Sequence, residues 1–216
     1  MERIELLTEH YEKTYETTLK VWEQRNKTFL VLLAVVGVAT LLTFKVSQTQ
    51  PLLVDLIAKT LSITDANRIA ELRLSLPYGV IQSILMMVIL YLTVILYHRT
   101  TFILRNYLYL GALETEIRPG MGLTEESVAF TREGKFYQDH QPCLSRIVGL
   151  AYVVMLGILL FAFFGMRIYT DLSTGTLWFT IIDAFLSLSS LIFFVAYACA
   201  SSSIVQNLAR PRSTSS

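Results

Sequence analysis

Hydrophobic and polar positions change rhythm several times along this chain, and each change marks an element. In residues 3–27, Ile4, Leu7, Tyr11, Tyr15, Leu19 and Trp22 advance by about 3.6 residues, the period of one helix face. Glu2, Glu5, Glu9, Glu12, Glu16 and Glu23, mixed with Lys13 and Lys20, hold the opposite face. The rhythm then gives way to long, predominantly apolar runs at residues 29–46, 77–97, 147–166 and 177–203. A helix needs roughly 20 apolar residues to cross about 30 Å of hydrocarbon, so each run predicts a membrane span. Pro77 opens the second run, where a first-turn proline loses no hydrogen bond. Lys27, Lys45, His98, Arg99, Arg146 and Arg167 stand at the borders of the runs.

The segments between the runs have patterns of their own. Residues 47–76 predict an outer loop with two short helices. Pro51 opens one that carries Leu52, Leu53, Leu56, Ile57 and Leu61; Asp65 caps another that carries Ile69, Leu72 and Leu76. Within residues 98–146 the second span continues as a helix, with Ile103, Leu110 and Ile117 on a seven-residue repeat and Tyr107 and Leu113 or Glu114 between. Pro119-Gly120 stops it. Two extensions with apolar stripes should pair, so residues 3–27 and 99–118 are expected to form an intracellular bundle. Thr124 and Thr131 are candidate caps for two further short helices. Residues 167–176 read as a short outer loop and 204–216 as a polar tail. The predicted fold is all-α: a four-span transmembrane helical bundle with cytoplasmic helical extensions and a short-helix outer loop.

Composition narrows the class. Of 216 residues, 53% are apolar and 16% are charged, against roughly a quarter charged in soluble domains. Mean hydropathy is +0.52. An ordinary soluble domain and a disordered chain are both excluded. A net charge of +1 gives no reason to expect a nucleic-acid partner. Cys143 and Cys199 are too few for a disulfide framework or a zinc site, and His10, His98 and His140 lack ligand spacing. With no phosphate loop, HExxH, CxxC or GxSxG, the reading is a non-enzyme without cofactor or metal. The first 27 residues lack the apolar core of a signal peptide, so the first span reads as an uncleaved anchor. With the N-terminus inside, thirteen Lys and Arg fall on the cytoplasmic side and five on the other. That excess places both termini in the cytoplasm.

Polar residues inside the runs are the candidate chemistry. Asp183 is the one clear carboxylate within a run, in a column with Thr180, Ser187, Ser190, Phe194, Tyr197 and Ser201. A polar stripe on an apolar helix should face protein or water rather than lipid. Gln82 enters the second span from the same side, and Thr40 lies in the same layer of the first. The expected intramembrane polar layer is therefore Asp183, Gln82, Thr40, Ser187 and Ser190. Hydrogen bonding between helices, an ion-lining face in an oligomer and a proton relay are all open readings. Gly149, Gly157 and Gly165 in the third span are candidate points of close helix approach. Arg132, Glu133, Lys135, Tyr137, Asp139 and His140 supply polar chemistry for sensing a ligand or partner, or else belong to a connector.

The stretch YLYLGALETEIRPGMGL, followed by FTREGKFY within residues 107–137, resembles the prokaryotic SLATT-like and related four-span membrane effectors of nucleotide-signalling and anti-phage operons. The likeness in organisation covers residues 1–137. This chain departs from the two-span members by its second hairpin, residues 147–200, and its outer loop. The resemblance implies a pore-forming or membrane-perturbing effector of antiviral defence, in a bacterial inner membrane. Its expected partners are membrane lipid, further copies of itself and a cytosolic sensor protein. It makes residues 107–137 the surface where the signal is read. With the extension around it, the expected surface comprises Arg105, Tyr109, Glu114, Arg132, Glu133, Lys135 and Tyr137. A membrane anchor for a soluble partner and a small transporter or accessory subunit are the rival readings.

Overall fold

The structure is a computed structural model that describes residues 2–43, 55, 58–60, 62–75, 78–124, 127, 129–130, 143–174 and 177–207. Its elements are α1 (Glu2–Thr43), α2 (Ala66–Ser75), α3 (Tyr78–Gly120), α4 (Cys143–Thr174) and α5 (Leu177–Asn207). Among the described residues there is no strand. Helices α1, α3, α4 and α5 are each long and apolar enough to cross a membrane. The chain is an all-α integral membrane protein.

The helices outrun the apolar runs because little in the sequence breaks them. In α1 no glycine or proline occurs before Gly37, and its threonines are absorbed into the helix. Thr8, Thr14, Thr17, Thr18, Thr28, Thr40 and Thr43 each donate a hydroxyl hydrogen bond to the carbonyl four residues back. Helix α4 runs to Thr174, so residues 167–174 are helical where the sequence pattern suggested loop. Arg167 pairs with Asp171 one turn on, a contact that the continued helix makes possible.

Turn chemistry closes the ends. Asp65 caps α2: its carboxylate accepts the Asn67 N–H at 3.0 Å and its carbonyl accepts the Ile69 N–H at 3.1 Å. Before it, the Ser62 N–H bonds Lys59 O and the Ile63 N–H bonds Ala58 O, with Ser62 at φ 56°. That is a Schellman ending. Most of the helix expected from Pro51 lies outside the described residues. Helix α3 carries Pro119 in its last turn and ends at Gly120. Gly122 then takes the left-handed conformation at φ 65°, as the Leu123 N–H bonds Arg118 O. The short helix expected after Thr124 is, at its described positions, a turn in which the Ser127 N–H bonds Thr124 O. The helix expected after Thr131 lies outside the described residues.

The chain divides into two compact units, and α1, α3, α4 and α5 each contribute to both. The first comprises residues 1–29, 94–154 and 193–216. In it α1 and α3 pair antiparallel: Arg3 meets Glu116, His10 meets Tyr109, Thr18 meets Asn106, and Gln24 and Thr28 meet Arg99. Tyr11, Leu110, Leu113 and Ile117 form the core, with Leu7, Tyr15, Tyr107 and Phe130 packed against them. Leu19 and Trp22, expected on the buried stripe, are exposed, and Thr18 faces α3 instead. Phe130 reaches Tyr11 edge-on at 5.7 Å, while Arg118 donates to the carbonyls of Thr124 and Ala129. The segment after α3 is thereby folded back on the pair.

The second unit comprises residues 30–93 and 155–192. Leu32, Val36, Ala39 and Leu42 of α1 are buried in it, as are Met86 and Ile89 of α3. So are Leu156, Leu160, Phe163 and Phe164 of α4, and Leu186 of α5. The outward faces are just as apolar: Leu41, Tyr91, Ile158, Phe161, Phe185 and Leu188 are exposed. Lipid, not water, suits such a surface. Gly157 is buried, but Gly165 is exposed with open space where a Cβ would stand. An eight-residue step turns a helix face by about 80°, so these glycines do not share one contact line.

Candidate functional site

Inside the apolar shell of the second unit lies a connected set of polar and charged side chains. Its hub is Arg167 of α4, whose side chain is 3% exposed. The Nε–H donates to Asp183 Oδ2 of α5 at 2.8 Å, and a terminal nitrogen reaches the same oxygen at 2.6 Å. The other terminal nitrogen lies 3.0 Å from Asp171 Oδ1 and also donates to Gln82 Oε1. One planar guanidinium therefore ties α3, α4 and α5 together, a fork geometry that a lysine could not supply.

The second carboxylate oxygen of Asp183, Oδ1, accepts the Ser83 hydroxyl of α3 at 2.8 Å. The Gln82 amide donates to Thr43 Oγ1 of α1 at 3.3 Å, and the Thr43 hydroxyl donates to Ala39 O at 2.8 Å. Ser187 donates to the carbonyl of Asp183 at 2.7 Å. All four membrane helices of the unit thus touch one network. Gln82, Thr43, Arg167, Asp171, Asp183, Ser187 and Ser190 are all buried. The network holds one cation and two carboxylates, so its formal charge is −1 when all three ionise. Removing such groups from water costs several kcal/mol per ion unless partners satisfy them, which explains why the hydrogen bonds are so densely shared.

The sequence-derived layer maps onto this site unevenly. Asp183, Gln82, Ser187 and Ser190 face inward as the helical period placed them. Ser190 Oγ has no hydrogen-bond partner among the described residues. Thr40 does not join: it is half-buried and bonds Val36 O of its own helix. Thr43, one turn on, occupies the position expected of Thr40. Arg167 and Asp171 went unrecognised because Arg167 stands where the apolar run ends, the usual place for a boundary charge. The available signal was the i,i+4 spacing of Arg167 and Asp171 beside a lone intramembrane carboxylate in the next helix.

The expected partner surface also divides. Arg105 and Tyr109 are exposed on α3, with the Tyr109 hydroxyl 3.0 Å from His10 Nε2. Glu114 is not on the surface: it is buried and accepts the Tyr11 hydroxyl at 2.9 Å. The seven-residue stripe that left Leu113 and Glu114 as alternatives in fact buries both. Arg132, Glu133, Lys135 and Tyr137 lie outside the described residues, as do Asp139 and His140. Among the described residues no group of three His, Cys, Asp or Glu is placed to hold a metal ion. Comparison with family models, curated proteins and solved structures finds no match for the chain.

Proposed function

We propose that the chain is a non-enzymatic membrane effector, held closed by its ionic network and opened by a cytoplasmic partner that acts on the α1–α3 pair. The observation that carries this reading is the buried Arg167 clamp on Asp183, Asp171 and Gln82. Apolar side chains of similar volume often hold such a site as well as ions do, or better. Ionisable groups within a membrane, by contrast, commonly mark a path for ions or protons. Opening would part Arg167 from α3 and α5 and uncover the column Asp183, Ser187 and Ser190. One chain encloses that column by itself, so an open path requires rearrangement and several copies in a ring. Helices α1 and α3 carry both the pair and the Thr43 and Gln82 contacts, which gives a partner a grip on the network.

The test is ion leakage from liposomes holding the purified chain, together with its native mass in nanodiscs. Asp183→Asn weakens the clamp and should raise the leak several-fold; adding Ser190→Leu to that variant should bring it back down. Leakage unchanged by both substitutions, or a strictly monomeric mass, would sink the proposal in favour of a passive anchor.

A further inference from the structure

In the first unit, Arg25 is a half-buried cation with no carboxylate partner among the described residues. Its guanidinium is nevertheless held in place. It lies 5.8 Å from the ring centroid of Trp22. Nε and one terminal nitrogen both donate to Asn26 Oδ1, at 3.3 and 2.9 Å. A guanidinium has five N–H donors. Two are used here, and the remaining three have no acceptor among the described residues.

The surroundings point to an anion. Lys27 is exposed two residues on, and Arg99 of α3, bonded to Gln24 O and Thr28 Oγ1, also has no carboxylate partner among the described residues. Arg25 and Lys27 precede the apolar run of α1 by four and two residues, and Arg99 follows the apolar run of α3 by two. In a membrane-spanning chain these positions fall at the level of the lipid headgroups, where phosphate is the prevailing anion. A planar fork with unspent donors, backed by an indole, suits phosphate oxygens.

We propose that Arg25 binds the phosphate of an anionic phospholipid headgroup, with Arg99 and Lys27 adding positive charge at the same end of the pair. The inference needs only that the chain spans a membrane, and it is independent of the effector reading. The site requires Arg25 as a fork as well as a charge, so Arg25→Gln should weaken binding more than Arg25→Lys does.

The test uses the full chain in a mild neutral detergent. Thermal stability and lipid adducts by native mass spectrometry are followed as phosphatidylglycerol, phosphatidylcholine or inorganic phosphate is added. Phosphatidylglycerol should stabilise the wild type and remain bound, with phosphatidylcholine and inorganic phosphate ineffective. Affinity for phosphatidylglycerol should fall about tenfold in Arg25→Gln, the usual effect of losing a charge-assisted hydrogen bond. In Glu23→Gln, an exposed neighbour, it should be unchanged. Equal adducts on wild type and Arg25→Gln would overturn the site. An equal response to inorganic phosphate would overturn its assignment to lipid.

Discussion

The α1–α3 pair of the first unit and the polar network of the second obey opposite rules although α1 and α3 contribute to both. In the first, Leu110, Leu113 and Ile117 are inside while Glu5, Glu9, Glu12 and Glu16 stand outside. In the second, Arg167, Asp171 and Asp183 are inside, and Phe161, Phe185 and Leu188 stand outside. Water rewards the first arrangement through apolar burial. In hydrocarbon there is no such reward between helices, so association rests on close packing and hydrogen bonds across the interface. The ionic network is the form that this takes here. Interior and exterior are therefore defined by the local solvent, and a polarity map read without the solvent would put both faces of α5 the wrong way round.

The most disruptive way to break the contrast is to remove the cation from the second unit. Arg167→Met leaves two carboxylates without their counter-charge and should destabilise the bundle by about 3–5 kcal/mol. Loss of monodisperse protein in detergent and a lowered unfolding midpoint in mixed micelles would report it. Replacing Arg167, Asp171 and Asp183 together by Met, Leu and Leu should restore much of that stability. If the triple variant stays as unstable as Arg167→Met, the network is structural glue with no apolar substitute.

A matched pair of surface changes sharpens the comparison at smaller cost. Leu6 of the first unit and Leu188 of the second are 62% and 61% exposed. Leu6→Asp should alter stability by no more than ~0.5 kcal/mol, as exposed changes in water usually do. Leu188→Asp puts a carboxylate against lipid and should cost about 3 kcal/mol, seen as reduced membrane insertion. Equal effects would mean that the two positions face one solvent.

The smallest effect is expected at Lys13. It lies 2.5 Å from Glu9 on the outer face of α1, and its ammonium holds the Glu9 carboxyl below its usual range. Both groups are fully open to water, so Lys13→Ala should leave the melting temperature unchanged within error, with or without added salt.

Much of this contrast is legible in the letters. Four runs of hydrocarbon length and a period of about 3.6 residues in the charged segments are enough to draw the helices and to pair 3–27 with 99–118. The inward face of α5 follows from one column of small polar residues, because a stripe of serines on an otherwise apolar helix has no place in lipid. What escapes is the partner of Asp183. An arginine at the end of an apolar run looks the same whether it reaches into headgroups or turns back into the bundle, and only the packing of α3 and α5 against α4 decides. The choice between Thr40 and Thr43 is of the same kind: three residues shift a side chain by about 60° around the axis, finer than a pattern of apolar letters resolves. Glu114 escapes because a charged residue on a paired helix reads as surface until a tyrosine from the other helix donates to it.

Helix α1 buries Tyr11 and Thr18 in one unit and Leu32, Val36, Ala39 and Thr43 in the other, along a single uninterrupted rod. The spacing inside each set is consequently strict. Inserting one residue between Tyr11 and Thr18 would swing one of them through about 100° and away from its partner on α3, Glu114 or Asn106. A helix face tolerates exchange of letters far better than a change in their count.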